Sequence, residues 1–397
     1  MIYLDNAATT WPKHRKLFEE MVDKYMEIGV SPGRGSYDQA MLADDCIREA
    51  RNNIARFFKA PDSDQVIFTA NATDGLNQFL LGLLQEGSRV LSTRLEHNSV
   101  LRPLYHLQQK KGVETSLVSF DKQGFVNPED MREALDKALV KKEAVDLVVC
   151  NHVSNVLGTV QQVAEIGSIC EEYGVAFLVD CSQSAGHVPV DMERMKASAI
   201  VFTGHKSLYG PTGIGGLILN PNLEIASTRF GGTGVESKSL RHTQSFPYKH
   251  EAGTHNLMGI IGLSLAIDNL IQKDVVRLHK EECALAQRLY QGLQKIPGIR
   301  LYGGTAFQNN DNVEDDRQIG LFSATFDTIS SEDLSAILDG DFDIAVRSGL
   351  HCAPLVHETL GTAELGSIRF SLGQFNTELE IDQTIEAMIQ ITSLSNT

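Results

Sequence analysis

Residues 146–180 read DLVVCNHVSNVLGTVQQVAEIGSICEEYGVAFLVD. Two short and nearly unbroken apolar runs, 146–150 and 175–180, flank a segment of different period. In that segment Val163, Ile166 and Ile169 fall on one face of a helix over about 160–172. Strand, helix and strand at this spacing form the repeating unit of a parallel sheet. Runs that are apolar at nearly every position, rather than at every second one, call for cover on both faces.

The same alternation extends in both directions. QVIFTA (65–70), SRVLST (88–93), ETSLVSF (114–120), AIVFTG (199–204) and IGGLIL (214–219) read as further strands. The expectation is a large α/β domain on a mainly parallel seven-stranded sheet, with a ligand site at the carboxyl ends of its strands. A helical stretch near 256–295 leads into a smaller α+β unit. Its strands are GLFSATF (320–326), DIAVRSG (343–349) and SIRFSLG (367–373), closed by a helix with Leu379, Ile381, Ile385 and Met388 inward. The polar run from Asn309 to Asp316 is expected as an exposed loop. The domains are therefore read as 16–256 and 257–397, with segment 1–15 packing near the second.

A chain of 397 residues with 42% hydrophobic residues can bury a core in each unit. Its formal net charge of -16 does not suit a nucleic-acid binder or an anionic membrane, although a local basic pocket can still hold an anion. No apolar run approaches the roughly 20 residues that span a bilayer. The opening MIYLDNAATTWP has no basic stretch followed by an apolar one. Cysteines 46, 150, 170, 181, 283 and 352 are widely and irregularly spaced, without a CxxC pair. Free thiols and a cytoplasmic location are expected.

The chemistry gathers at strand ends. FTGHKSLYGPTGIGG (202–216) places Lys206 just past one strand, before a glycine-rich turn that lets backbone approach a ligand. The order GxxxxGK[ST] is absent, so this is not a nucleotide P-loop. A lysine here is a phosphate clamp or an imine-forming amine. Asp180 ends the strand VAFLVD, either capping the next helix or loop or pairing with a cationic ring nitrogen, and Gln183 lies just beyond. Asn71, Thr73 and Asp74 open a helix, as an N-cap or as an anion cradle. His97 is a ring-stacking residue or a polar strand end, and Asn155 is a loop residue or a donor to a ring hydroxyl. In RSGLHCAP (347–354), Cys352 has Arg347 and His351 nearby, and an adjacent positive charge favours a thiolate. Arg369 is a cation at the core's edge or a fork for a carboxylate. The histidines include no HExxH and no zinc-spaced His/Cys cluster, so no metal is expected.

The ordered pieces YLDNAATT, NATDG, EHNSVLRP, VSNVLGTVQ, VDCSQSAGHVPVD, FTGHKSLYGPTGIGG, FGGTG, EAGTHN, RSGLHCAP and SIRFSLG run from residue 3 to residue 373. Through them the chain resembles the class V aminotransferase family of pyridoxal-phosphate enzymes, and within it the cysteine desulfurases and selenocysteine lyases. The resemblance implies the aspartate-aminotransferase-like fold (fold type I) and pyridoxal 5'-phosphate as cofactor. Lys206 would be the imine partner and proton shuttle, Asp180 would bind the ring nitrogen, and Gln183 and Asn155 would contact the ring oxygen. His97 would stack on the ring, while Thr73, Thr203 and His205 would hold the phosphate. Thr254 would come from the partner subunit of a homodimer whose active sites lie near the interface. Arg369, with Asn155 beside it, would bind the carboxylate of a small amino-acid substrate, and Cys352 would be the attacking thiol. The implied reaction turns L-cysteine into L-alanine and leaves a persulfide on Cys352 for a sulfur-acceptor protein. The same pocket suits selenocysteine lyases, cysteine-sulfinate desulfinases, other C–S lyases and transaminases of small amino acids. One departure stands out: Leu350 occupies the place where related sequences often carry a second histidine.

Overall fold

The apolar runs are strands in the computed structural model, which describes residues 1–32, 35, 37–308 and 317–394. A two-residue strand, β1 (Ile2–Tyr3), and helices α1 (Arg15–Ile28) and α2 (Asp38–Phe58) come before β2 (Val66–Thr69). Helix and strand then alternate through α3 (Ala72–Leu83), β3 (Arg89–Thr93), α4 (Asn98–Lys111) and β4 (Glu114–Val118). The alternation continues with α5 (Pro128–Val140), β5 (Leu147–Asn151), α6 (Val163–Tyr173) and β6 (Ala176–Asp180). Next come β7 (Ala199–Thr203), β8 (Gly215–Leu219), α7 (Leu257–Lys273) and α8 (Val275–Leu293). The chain closes with β9 (Ile299–Tyr302), β10 (Leu321–Phe326), α9 (Ser331–Phe342), β11 (Ile344–Ala345), β12 (Arg347–Gly349), α10 (Pro354–Leu360), β13 (Ser367–Ser371) and α11 (Glu378–Leu394).

Seven strands form one sheet in the order β2-β8-β7-β6-β5-β3-β4, in which β8 alone runs against its neighbours. The unbroken apolar runs follow from two-sided cover. Along β5, Leu147 and Val149 join the core under α3 and α4, while Val148 and Cys150 join the core on the opposite face. Gly215 serves the sheet rather than a ligand. A Cβ there would lie 2.7 Å from Phe202 O and 3.0 Å from Asn71 Cα, so only glycine lets β8 pass between β7 and the start of α3.

The smaller unit has an antiparallel sheet, β12-β13-β10-β9, and a core of its own that includes Leu289, Phe322, Phe370 and Met388. The sequence reading placed the junction at 256–257. In the fold, Ile260, Leu263 and Ile267 of α7 pack in the larger core, and α8 supplies the smaller one. DIAVRSG is two strands rather than one: β11 pairs with β1, and β12 pairs with β13. On α11, Ile381 and Met388 are buried as expected, but Leu379 is 67% exposed because it sits in the first turn, off the buried face. The loop expected at 309–316 lies outside the described residues.

β1 docks the amino-terminal segment onto the smaller unit, and Leu4 is 0% exposed within that core. Leu4→Ala is expected to cost about 2–5 kcal/mol. Thermal unfolding checks this, and an unchanged midpoint would mean that the segment is not docked.

Candidate active site

A cavity of about 260 Å³ opens at the carboxyl ends of the sheet strands, walled on its far side by Arg347, His351 and Arg369 of the smaller unit. The strand-end segments bring Thr73, His97, Asn155, Asp180, Gln183, Thr203, His205 and Lys206 to this one space. None of the glycines from 210 to 216 lines it, which corrects the expectation that they make room for a ligand; Gly210 and Gly215 make room for neighbouring backbone and Gly216 for the Phe202 ring.

Lys206 follows β7 through a single turn. Desolvation lowers its amine to about 8; Asp180 opposes this, and Arg369 and Arg347 add to it. About a tenth of the amine is therefore unprotonated at pH 7, against far less than a hundredth for an ordinary lysine. Asp180 Oδ1 accepts from the Ser182 backbone N–H at 2.9 Å and from the Ser182 hydroxyl, which leaves Oδ2 without a donor. His97 is the N-cap of α4: its Nδ1 accepts from Ser99 N at 3.0 Å and meets Ser99 Oγ at 2.9 Å. With Nδ1 accepting, the ring proton sits on Nε2. Burial, helped by Lys206, lowers the His97 pKa to about 4, so the ring is neutral.

The phosphate-type residues lie together. Asn71 caps α3 by accepting from Asp74 N at 3.0 Å, and the Asp74 carboxylate in turn accepts from Ala70 N at 2.9 Å. This reciprocal cap starts the helix at the cavity wall. Thr73 Oγ1 meets Ser99 Oγ at 2.7 Å, so Ser99 links the helix start to His97. Thr203 Oγ1 and His205 Nδ1 are buried without partners. Ser99 was not read from the sequence; its only signal was its place in the first turn after His97.

Asn155 and Gln183 each donate to a backbone carbonyl, His351 O at 2.7 Å and Ala7 O at 3.0 Å, and leave Oδ1 and Oε1 buried without a donor. Arg369 is 1% exposed. Its guanidinium donates to Asp5 Oδ1 at 2.7 Å and to Asn155 O at 3.0 Å, and its Nε has no partner. The amino-terminal segment also closes on the lysine: His205 O accepts from Thr10 N at 3.2 Å, Thr9 Oγ1 at 3.1 Å, Thr10 Oγ1 at 3.1 Å and Lys13 Nζ at 2.7 Å. Neither Asp5 nor these donors were read as site residues, because the pairings span 192 to 364 residues of the chain.

Cys352 is half-buried and follows the cavity-lining His351 without lining the cavity itself, with Arg347 Nη2 3.6 Å from its sulfur. His351 does not supply the positive charge expected from the sequence. Burial and the neighbouring Arg369 keep it neutral, and its Nε2 turns to Ser367 O at 3.1 Å. His351 and Cys352 both adopt left-handed backbone, φ 48° and 57°, a costly conformation for side-chain-bearing residues. Two bonds from the larger unit hold it: Asn155 Nδ2 to His351 O and Asn98 N to Cys352 O, both 2.7 Å. Thr254 does not line this cavity in its own chain. It lies in a separate depression beside His255, whose Nε2 is 2.7 Å from Glu251.

The unpartnered atoms decide what fits. Thr203 Oγ1 and His205 Nδ1 suit a phosphate, Asn155 Oδ1 and Gln183 Oε1 suit a hydroxyl, and the deprotonating Lys206 amine suits an aldehyde. Their grouping around one cavity matches a phosphorylated aromatic aldehyde.

The class-V aminotransferase profile matches residues 2–384. A probable cysteine desulfurase of Methanothermobacter thermautotrophicus is 34% identical over 399 residues, covering 99% of this chain and 95% of that protein. The apo structure of a cysteine desulfurase from Thermococcus onnurineus NA1 superposes with a TM-score of 0.90 at 30% identity, over 99% of this chain and 94% of that one. A cysteine desulfurase from Escherichia coli, in an S-sulfonic acid form, superposes at 0.85 with 27% identity, again over 99% and 94%. Among the described residues, no helix is long and apolar enough to cross a membrane.

Proposed function

The chain belongs to the class-V aminotransferase family, homologous to its cysteine desulfurase branch, and from that membership we propose that it is a pyridoxal-phosphate-dependent cysteine desulfurase. Its large mixed sheet and smaller α+β unit are the fold type I architecture of pyridoxal-phosphate enzymes. The observation that carries the desulfurase reading is Cys352 beside the cavity-lining Arg347 and His351, pinned by its own carbonyl to the helix that His97 caps.

Pyridoxal phosphate, when bound, supplies an aldehyde for amines and a ring that accepts the electron pair left by a departing α-proton. Thr73, Thr203 and His205 would hold its phosphate, with Thr254 of the partner subunit in a homodimer. Asn155 and Gln183 would hold its ring oxygen, Asp180 would keep a proton on its ring nitrogen, and the neutral His97 ring would cover its face. Lys206 contributes an amine whose lowered pKa, about 8, leaves a reactive neutral fraction near physiological pH and lets it carry a proton to and from the substrate carbon. Arg369 is the fork for the substrate carboxylate. Asp5 holds part of that fork in this structure, and Nε remains unpartnered.

The thiol of Cys352 attacks the substrate's side-chain sulfur, the carbon–sulfur bond breaks, and the carbon takes a proton. L-Cysteine and the thiol thus become L-alanine and a persulfide on Cys352, which an acceptor then consumes. Selenocysteine lyase, sulfinate desulfinase and small-amino-acid transaminase chemistry would use the same lysine with different products. A product assay separates them. Supplied with cysteine, selenocysteine, cysteine sulfinate and cystine in turn, the enzyme is expected to release alanine fastest from cysteine, with sulfide in equal amount once an added thiol has reduced the persulfide. Pyruvate in place of alanine would overturn the desulfurase reading in favour of β-elimination.

A further inference from the structure

β3 and β5 pair at Val90–Leu147 and Leu91–Val148, although both strands run on, to Thr93 and Asn151. Beyond Leu91, side chains replace the ladder. Ser92 Oγ donates to Val149 O at 3.1 Å, and the Asn151 backbone N–H donates to Glu96 Oε1 at 3.0 Å. The Thr93 hydroxyl donates to the same Glu96 oxygen at 2.7 Å, and Asn151 Nδ2 returns a bond to Leu95 O at 2.7 Å. Glu96 and Asn151 thus clasp the turn that ends in His97. Glu96 is 0% exposed, and no cation pairs with it among the described residues.

Both residues leave one buried oxygen without a partner, Glu96 Oε2 and Asn151 Oδ1. An ionised carboxylate here would be an unpaired charge in a dry interior. It would also lie near Asp180, which pairs in register with Asn151 on the next strand. A hydrogen on Oε2 removes that charge and turns one of the two unpartnered acceptors into a donor.

We propose that Glu96 is a neutral, proton-bearing positioning residue, whose acid group completes the β3–β5 junction and fixes the His97 turn without placing a second anion beside Asp180. Only the last clause rests on the proposed function, since it concerns the face that Asp180 offers a cofactor. The clasp itself consists of the protein's own atoms.

Burial raises the Glu96 pKa from 4.5 to about 8, with Asp180 adding to the rise and the Thr93 and Asn151 donors opposing it. The titratable groups that face it are Asp180 on β6 and the Cys150 thiol on β5, itself raised well above its ordinary value by burial and by Glu96. The folded value exceeds the unfolded one. The stabilising contribution is therefore full below 4.5 and is lost as pH climbs through about 8.

Glu96→Gln keeps the size and the accepting oxygen but cannot ionise. Thermal midpoints of the unmodified protein and of E96Q are compared from mildly acidic to alkaline pH, with and without pyridoxal phosphate. The unmodified protein is expected to lose several degrees that E96Q keeps; parallel curves would overturn the proposal. Infrared difference spectra of the unmodified protein give a readout that does not depend on the variant folding. A buried carboxylic-acid band that vanishes at alkaline pH supports a neutral Glu96, and no such band at neutral pH overturns it. If pyridoxal phosphate does not bind, the cofactor reading fails, while the midpoints and the acid band still decide the state of Glu96.

Discussion

Lys206→Ala is expected to abolish the visible imine absorbance of the protein reconstituted with pyridoxal phosphate and to lower turnover by about 10²–10⁴-fold or more. The reason lies in the environment of the amine. With the pKa lowered to about 8, its neutral fraction at pH 7 is roughly 300-fold that of a lysine at 10.5. The same shift gives a sign to the pH dependence. Imine formation by the unmodified apoprotein should accelerate as pH rises through about 8, and stopped-flow absorbance reads this directly. The nearest competitor is Lys13, also lowered to about 8 by burial, but its Nζ is engaged with His205 O and Thr10 Oγ1, both at 2.7 Å. Colour that survived Lys206→Ala and disappeared in the double variant with Lys13→Ala would move the imine to Lys13.

Cys352→Ala should produce the complementary result: the absorbance stays, and alanine and sulfide production from L-cysteine falls by at least about a thousandfold. The side chain is small and half-buried, and the loop is held through backbone carbonyls, so removing the sulfur leaves those bonds in place. The two variants therefore separate cofactor capture from sulfur chemistry. Activity unchanged in Cys352→Ala would remove the persulfide from the mechanism and leave a direct elimination.

The inner strands of the sheet were legible because both of their faces are buried, which writes an apolar run of four or five residues, whereas the edge strand β4 is largely exposed and was marked by its Thr, Leu and Val alone. The lysine, the aspartate and the histidine were legible for a related reason, since each directly follows such a run. α2 was fainter. Its inward positions are Ala40, Ala43, Ile47, Ala50, Ile54 and Phe58, and half of them are alanines that carry little hydrophobic signal. β1 was not read, and β11 was read only as part of the single run DIAVRSG. Two residues at each site leave no periodicity, and their pairing is fixed only once the smaller core has formed. Glu96 was visible as a letter beside His97, yet its significance is its burial, and no spacing rule reports that. His351 shows the opposite error: adjacency in sequence put a histidine beside the thiol, and the left-handed turn pointed the ring elsewhere.

The amino-terminal segment that closes on His205 O has a consequence for the order of events during folding. Asp5 meets Arg369 across a sequence separation of 364 residues, and Ala7 N meets Ser371 Oγ across the same distance. Contacts of such range form late, after local elements are in place, because the chain loses the most freedom in closing them. Lys206 can therefore be synthesised and its sheet largely assembled while two walls of its pocket do not yet exist. The Arg369 fork and the amino-terminal wall should arrive in one late step with the last β-strand, so that fragments ending before residue 369 carry the lysine without the closed pocket.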